Sequence, residues 1–201
     1  MINNYDLILK NISKHIQLEP SEITLFTSLL AHKIIPTKSY IQKENQPCNY
    51  LIFVNAGILR AYFLNKEGKE STIMFALKDW WVTDIHCFMN EQPAMLNIVA
   101  TEKSEVLQIS KTNLDILLKE VPKFERFFRI IFQKAYIREQ LRVIENLSLT
   151  AAERYENFAN KYPQIIQQVT QKQIATYLGI TPEFLSVIRS KRANRWFLKL
   201  D

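Results

Sequence analysis

The chain has 201 residues, of which 47% are apolar and 23% charged, and its formal net charge is +6 at pH 7. This length allows one large domain or two modest ones, and the composition excludes a disordered or fibrous chain. No apolar run reaches the roughly 18–20 residues that span a bilayer, and no secretory signal pattern opens the sequence, so we expect a cytoplasmic protein without membrane contact.

The positive charge is concentrated in the C-terminal part of the chain. Residues 1–120 contain 12 Lys and Arg against 13 Asp and Glu, whereas residues 121–201 contain 14 against 7. A neutral first part followed by a basic second part indicates that the second part faces a polyanion. Charge alone does not separate this interpretation from a surface that is charged only for solubility.

The first part of the chain is predicted to be helical and then to form a β structure. Residues 5–31 show apolar residues at spacings of three and four, which predicts helix. After Pro36, short runs rich in β-branched and aromatic residues predict strands, with turns near Gly57 and Gly68. These runs are residues 50–54, 58–64, 71–75, 80–82, 96–99 and 105–109. Short strands at near-regular spacing predict a largely antiparallel jelly roll.

Helices are predicted from Ser110 onward, and the longest covers residues 123–147. Pro122 fits the first turn of this long helix. A heptad-like apolar series within it predicts a seam that pairs with a second copy of the chain. The series comprises Phe127, Ile130, Ile137, Leu141 and Ile144. A second apolar stripe, with Phe124 and Phe128, is expected to dock on the β domain. The alternative is a single amphipathic helix that packs on one core.

Two capping boxes divide the C-terminal part into helices. Thr150 with Glu153 starts one helix, and this marks a hinge and domain boundary near residues 146–149. Thr170 with Gln173 starts another.

The segment after this second box predicts a helix-turn-helix. Gly179 can adopt the left-handed conformation that ends a helix, while Thr181 and Pro182 are suited to cap and begin the next one. The second helix of such a pair enters the major groove of DNA. An αα-hairpin without a DNA role is the alternative, and the basic residues that follow argue against it. These are Arg189, Lys191, Arg192, Arg195 and Lys199.

The order of these parts resembles the family of the cyclic AMP receptor protein and FNR, the Crp/Fnr family of dimeric bacterial transcription regulators. Residues 51–57, 65–70, 100–110 and 170–191 are similar to family segments in the family's order. The resemblance implies an α+β chain. Residues 1–121 would form a cyclic-nucleotide-binding-like jelly roll with flanking helices, residues 122–147 a central dimerisation helix, and residues 148–201 a winged-helix or helix-turn-helix DNA-binding domain. It also implies a homodimer that binds double-stranded DNA, with RNA polymerase as a further candidate partner.

The resemblance also assigns roles within the helix-turn-helix. Glu183 and Ser186 fill outward positions of the recognition helix, and a carboxylate there can accept from a cytosine amino group. The remaining predicted DNA-binding residues are interpreted as phosphate contacts, which position a protein without specifying bases. They are Thr170, Gln171, Thr181, Arg189, Lys191 and Arg192.

The sequence departs from the family at the nucleotide pocket. Members that bind cyclic nucleotides carry a Gly-Glu pair, followed further along by Arg-Ser or Arg-Thr, where the Arg pairs with the cyclic phosphate. Here Thr83 and Asp84 stand in the Gly-Glu place, and no Arg or Lys occurs between Asp84 and Ala100. A phosphate would meet a carboxylate and no cation, so we predict no tight binding of cyclic AMP. The effector, if one exists, is left unidentified.

No cofactor, metal site or enzymatic activity is predicted. Cys48 and Cys87 are the only cysteines, too few for a disulfide framework or an iron–sulfur cluster, and we expect two reduced thiols. His86 is the only histidine in the β region after His32, so a metal-dependent enzyme lacks its ligands. The alternative to a DNA-binding regulator is a ligand-binding or protein-interaction module of the same fold that no longer reads DNA.

Overall fold

The computed structural model describes residues 5–197, with side chains described through residue 192. In the first part, helices at both ends enclose eight strands. These elements are α1 (Asp6–Ser13), α2 (Pro20–Ser28), β1 (Leu30–Ile35), β2 (Tyr40–Gln42), β3 (Tyr50–Ala56), β4 (Leu59–Leu64), β5 (Glu70–Ala76), β6 (Trp81–Val82), α3 (Ile85–Met89), β7 (Asn97–Ala100), β8 (Ser104–Ser110) and α4 (Lys111–Glu120). The second part is helical. It comprises α5 (Lys123–Ser148), α6 (Ala151–Lys161), α7 (Pro163–Gln168), α8 (Gln171–Leu178) and α9 (Pro182–Phe197).

The strands form two antiparallel four-stranded sheets, in the orders β1-β8-β3-β6 and β2-β7-β4-β5. The position of strand β3 between two cores explains why its sequence is a continuous apolar run. Ile52 and Val54 belong to the core between the sheets, whereas Leu51 and Phe53 point the other way, into a second core beneath the helices. A strand that is covered on both faces carries apolar residues at every position. The predicted α+β jelly-roll architecture is confirmed.

The second core joins the N-terminal helices to the start of α5. Ile8 of α1 and Phe26 of α2 pack there with Phe124, Phe127 and Phe128 of α5. The predicted docking of α5 on the β domain is therefore present, and it uses the first half of that helix.

Some predicted element boundaries are wrong. The predicted helix over residues 5–31 is two helices, and residues 30–31 begin strand β1, which pairs with β8 from Leu30 opposite Ile109. Strand β2 and helices α3 and α7 were not predicted. Pro163 is the first residue of α7, because proline lacks an N–H that the first helical turn does not need. Residues 111–197 contain helices and no strand, so the predicted wing is not among the described residues.

The C-terminal helices build a third core around Phe158, Ile174 and Leu185. Two residues of the jelly roll, Ile58 and Phe75, belong to this same cluster, so the helical unit packs directly against strand β5 and the residue that precedes β4. Among the described residues, no helix combines the length and the apolar character needed to cross a bilayer.

Candidate nucleic-acid interface

The turn between α8 and α9 has the predicted geometry. The Thr170 hydroxyl accepts from the Gln173 backbone N–H at 3.3 Å, and the Gln173 side chain accepts from the Thr170 N–H at 3.0 Å. Gly179 ends α8 at φ 69° and ψ 32°, and the Ile180 N–H donates back to the Ala175 carbonyl at 3.1 Å. A β-carbon at Gly179 would meet no atom within 4 Å, so the need for glycine there comes from the positive φ alone.

Helix α9 is held by one face and exposed on the other. The Thr181 hydroxyl accepts from the Phe184 N–H at 3.2 Å, which caps the helix. Leu185 and Ile188 are buried in the helical core. On the opposite side, a shallow surface depression is lined by Pro182, Glu183, Ser186, Val187, Ser190 and Lys191.

The structure brings the predicted DNA-binding residues to the surface in two groups. Thr170 and Gln171 are exposed at the start of α8. The second group lies at and along α9, where Thr181, Glu183, Ser186 and Lys191 are exposed and Arg189 and Arg192 are partly exposed. The Arg192 guanidinium lies over the Tyr155 ring, 5.8 Å from its centroid. The Arg195 side chain and Lys199 lie outside the described residues.

The basic residues of α9 have no acidic partner within the described part of the chain. None of the ion pairs that residues 5–192 form involves Arg189, Lys191 or Arg192. Cations that are not neutralised internally can exchange their counterions for phosphate groups.

The predicted dimer seam is only partly exposed. Ile137, Leu141 and Ile144 are exposed, and Ile130 is half-buried. Phe127, by contrast, is fully buried in its own chain, with its ring 6.1 Å from that of Trp81. Phe127 therefore cannot contact a second copy in this conformation, and its inclusion in the seam was wrong.

Three further exposed apolar residues extend the seam, namely Tyr136, Val143 and Leu147. They recur at spacings of seven and four, which is a helical pattern. Together with Ile137, Leu141 and Ile144 they form an apolar strip along the second half of α5, named here the α5 strip.

A buried carboxylate lies at the position where the Crp/Fnr resemblance places the nucleotide pocket. Asp84 is 3% exposed, and no Lys or Arg among the described residues pairs with it. Its carboxylate accepts from the backbone N–H groups of Met95 at 2.8 Å, Leu96 at 3.0 Å and Cys87 at 3.4 Å. The converging N–H groups of this loop, which could hold an anion, are thus occupied by a side chain of the protein itself.

Both cysteines are buried free thiols. The Cys48 thiol donates to the Gln42 side-chain carbonyl at 3.2 Å. Burial raises the pKa of both thiols above the ordinary value, which keeps them protonated and poorly reactive.

Comparison with known proteins places this geometry in a fold family. Residues 32–121 match the cyclic nucleotide-binding domain family. The c-di-GMP responsive global regulator CLP of Xanthomonas campestris superposes with a TM-score of 0.71 at 14% identity, covering 88% of this chain and 93% of that one. A protein from Eubacterium rectale, described as a transcriptional regulator of the Crp/Fnr family, gives 0.71 at 18% identity, covering 88% and 85%. The chain has the Crp/Fnr fold. A CooA variant from Carboxydothermus hydrogenoformans agrees, with a TM-score of 0.69 at 18% identity over 97% of this chain and 86% of its own. No protein of curated function matched the sequence.

The resemblance inferred from the sequence is therefore confirmed at the level of the Crp/Fnr fold. Within that fold, the exposed groups on α8 and α9 form the candidate interface for DNA, and the α5 strip is the candidate interface for a second copy. Sequence reasoning identified Asp84 as a departure from the Crp/Fnr pattern. It missed the role of the carboxylate as an acceptor for the pocket's own N–H groups, because the sequence carries no signal of which amides converge.

Proposed function

We propose that this protein is a dimeric, sequence-specific DNA-binding transcription regulator of the Crp/Fnr type that does not respond to cyclic AMP. The observation that carries the proposal is the presentation of α9. Leu185 and Ile188 hold it against the helical core, while Glu183, Ser186 and Lys191 face outward beside cations that lack acidic partners in the described chain. An exposed helix of this kind after a glycine turn is what major-groove binding requires.

The α5 strip supports a homodimer. Six exposed apolar side chains lie along the second half of this helix, and a second copy of the same helix would cover them by two-fold symmetry. Pairing two copies would also supply two α9 helices, as a palindromic operator needs. RNA polymerase remains a candidate further partner of such a regulator.

Asp84 supports independence from cyclic AMP. A cyclic phosphate would have to displace the carboxylate from the Met95 and Leu96 N–H groups, and it would meet a buried negative charge that no cation of the described chain compensates. Burying like charges together costs several kcal/mol, so the pocket rejects a phosphate. The β domain then either senses another small molecule or serves as a scaffold, and we propose no enzymatic activity for it.

A protein-interaction module that no longer reads DNA is the second candidate. Phe184 and Val187 favour it, since both are about half exposed on α9, at 50% and 47%, where basic side chains would be expected. Exposed apolar groups on a helix can equally contact thymine methyl groups.

Selection of genomic fragments by the purified protein, followed by a salt titration on the best fragment, tests the proposal. The R189A/K191A double variant is expected to reduce the slope of log K against log salt by about 2 and to weaken binding to all duplexes alike. The control removes two exposed lysines of the jelly roll, Lys66 and Lys103, and is expected to leave the slope unchanged. Absence of any duplex preference in the wild type would favour the interaction module instead.

A further inference from the structure

Arg142 of α5 connects three elements that are distant in sequence. Its guanidinium donates to the backbone carbonyls of Thr72 and Ile73 in β5, at 3.0 Å for Thr72, and to the carbonyl of Tyr177 in α8 at 3.2 Å. It also lies 4.3 Å from the centroid of the Tyr177 ring. One side chain thus joins the central helix, the jelly roll and the helix-turn-helix.

The contact with α8 has a clear electrostatic basis. Tyr177 lies in the last turn of α8, where carbonyl groups have no partner within the helix and the helix dipole is negative. Arg142 supplies a cation and a donor there. Arg154 does the same for the Leu178 carbonyl at 3.3 Å, so two arginines cap the end of α8.

A second polar contact lies beside the first. Arg60 of β4 is 3% exposed, and its Nε donates to the Thr72 hydroxyl at 2.8 Å. The same guanidinium bonds the Glu70 carboxylate at 2.8 Å and the Thr176 hydroxyl of α8 at 3.3 Å. The hydroxyls of Thr72 and Thr176 are 2.7 Å apart. The Thr176 hydroxyl also donates to the Gln173 carbonyl of its own helix at 2.8 Å, so the bonds from Arg60 and Thr72 add directional contacts that form when α8 is seated on β5 in this register.

The packing around the polar contacts is aromatic. The Phe75 ring of β5 lies 5.8 Å from that of Tyr177 and 6.4 Å from that of Phe158 in α6. Apolar contacts alone tolerate sliding, whereas directional hydrogen bonds to Arg142 and Thr176 fix a single orientation.

The docked orientation leaves the candidate DNA surface uncovered. Helix α8 uses Thr176 and Tyr177, near its end, to contact the jelly roll and α5, while Thr170 and Gln171 at its start remain exposed. The outward face of α9 is exposed as well. The contact therefore orients the helix-turn-helix without blocking it.

We infer that Arg142 is a positioning residue for DNA binding: it holds α8 and α9 at a fixed orientation relative to α5 and so sets the spacing between the two half-sites that a dimer reads. This inference rests on the proposed function. Arg142 shares α5 with the α5 strip, next to Leu141 in sequence, so the pairing surface and the anchor of the helix-turn-helix are parts of one rigid helix. Pre-organisation of this kind lowers the entropy lost when two recognition helices bind together.

Replacing Arg142 with methionine tests the inference, because the stem is kept and the donors are removed. Arg129→Met on the same helix is the matched control, since Arg129 is exposed and its side chain bonds only Gln133 among the described residues. We expect R142M to bind its operator about tenfold more weakly, as lost pre-organisation predicts, with the salt slope unchanged because no phosphate contact is lost. We also expect a second difference when base pairs are inserted between the half-sites of the operator. R142M should bind the lengthened operator nearly as well as the natural one, whereas wild type should bind the lengthened operator much less well.

Thr176→Val is a second, independent variant that is nearly isosteric and removes only the hydroxyl. It should show the same relaxed spacing to a smaller degree. Unchanged affinity and unchanged spacing preference in both variants would overturn the inference, and so would tighter binding, which would make the contact an inhibitory one.

A measurement without DNA separates this inference from the proposed function. Amide hydrogen exchange in α8 should be faster in R142M and T176V than in wild type and R129M, while exchange in β3 and β8 stays unchanged. If wild type binds no DNA, the proposed function fails while this measurement still reports the contact. If exchange in α8 is the same in all four proteins, the orienting contact itself is refuted.

Discussion

Replacing Asp84 with asparagine or alanine most directly tests the proposal that its carboxylate occupies the N–H groups of the pocket. The carboxylate accepts three backbone N–H groups, and an asparagine amide oxygen can satisfy only some of them while its NH₂ group faces the rest. One unsatisfied buried donor costs about 1–3 kcal/mol, so D84N should lower the free energy of unfolding by that amount. D84A removes the acceptor from all three groups and should cost about 3–5 kcal/mol.

Urea unfolding followed by circular dichroism measures these differences. Asp115→Asn is the matched control, because Asp115 makes an exposed ion pair with Lys111 and its loss should change stability by less than about 1 kcal/mol. A D84N protein as stable as D115N would refute the reasoning. The same reasoning requires that millimolar cyclic AMP leave the melting temperature of the wild type unchanged, and a clear rise would contradict it.

The remaining predictions concern the dimer, the turn and acid stability. Ile137→Glu or Leu141→Glu should give monomers by sedimentation at micromolar concentration, because a charge within the α5 strip opposes apolar pairing; a wild type that is already monomeric would contradict this. Gly179→Ala should lower the free energy of unfolding by about 1–2 kcal/mol, since alanine is strained at φ 69°, and an unchanged denaturation midpoint would show that the turn relaxes. Partial burial and the nearby Lys134 hold the pKa of His15 below its ordinary value of 6.5. Protonation then favours the unfolded chain, so stability should fall as pH drops below 6.5, and His15→Gln should flatten that limb of the stability profile.

The features that the sequence predicted well are local ones. The helix-turn-helix follows from a capping box, one glycine and a Thr-Pro start, all within a dozen or so neighbouring positions that need no distant contact to define their geometry. The central strands were predicted from their local content of β-branched and aromatic residues, which likewise needs no distant contact. Strand β1 was missed because no turn residue separates it from α2. Helix α3 has five residues, too few for a periodic signal.

The docking of the helix-turn-helix could not be predicted, because it depends on residues far apart in the chain. Thr72 and Thr176 are 104 positions apart, and Arg60 and Thr176 are 116 apart. Nothing in the sequence around these threonines and this arginine indicates which distant residue each one contacts. The arginines of α5 contributed to the basic charge of the C-terminal part, yet Arg142 is used internally, on carbonyl groups, and does not belong to the surface proposed for DNA.

Phe127 shows that apolar residues at a helical spacing do not reveal whether they pack on their own chain or on a second copy. Its spacing fits the seam of Ile137 and Leu141. Phe124 and Phe128, however, pack the first half of α5 against the first part of the chain, and Phe127 is buried in the same core. The same period continues into the second half, where the apolar side chains are exposed and form the α5 strip. One helix is thereby divided between its own core and the surface that we propose for a second chain. Arg142 lies within the second half, so any shift of the paired helices would be transmitted to α8 through the carbonyl of Tyr177. Dimer geometry and operator spacing should therefore change together, and a strip variant that alters pairing without abolishing it should alter the preferred half-site spacing as well.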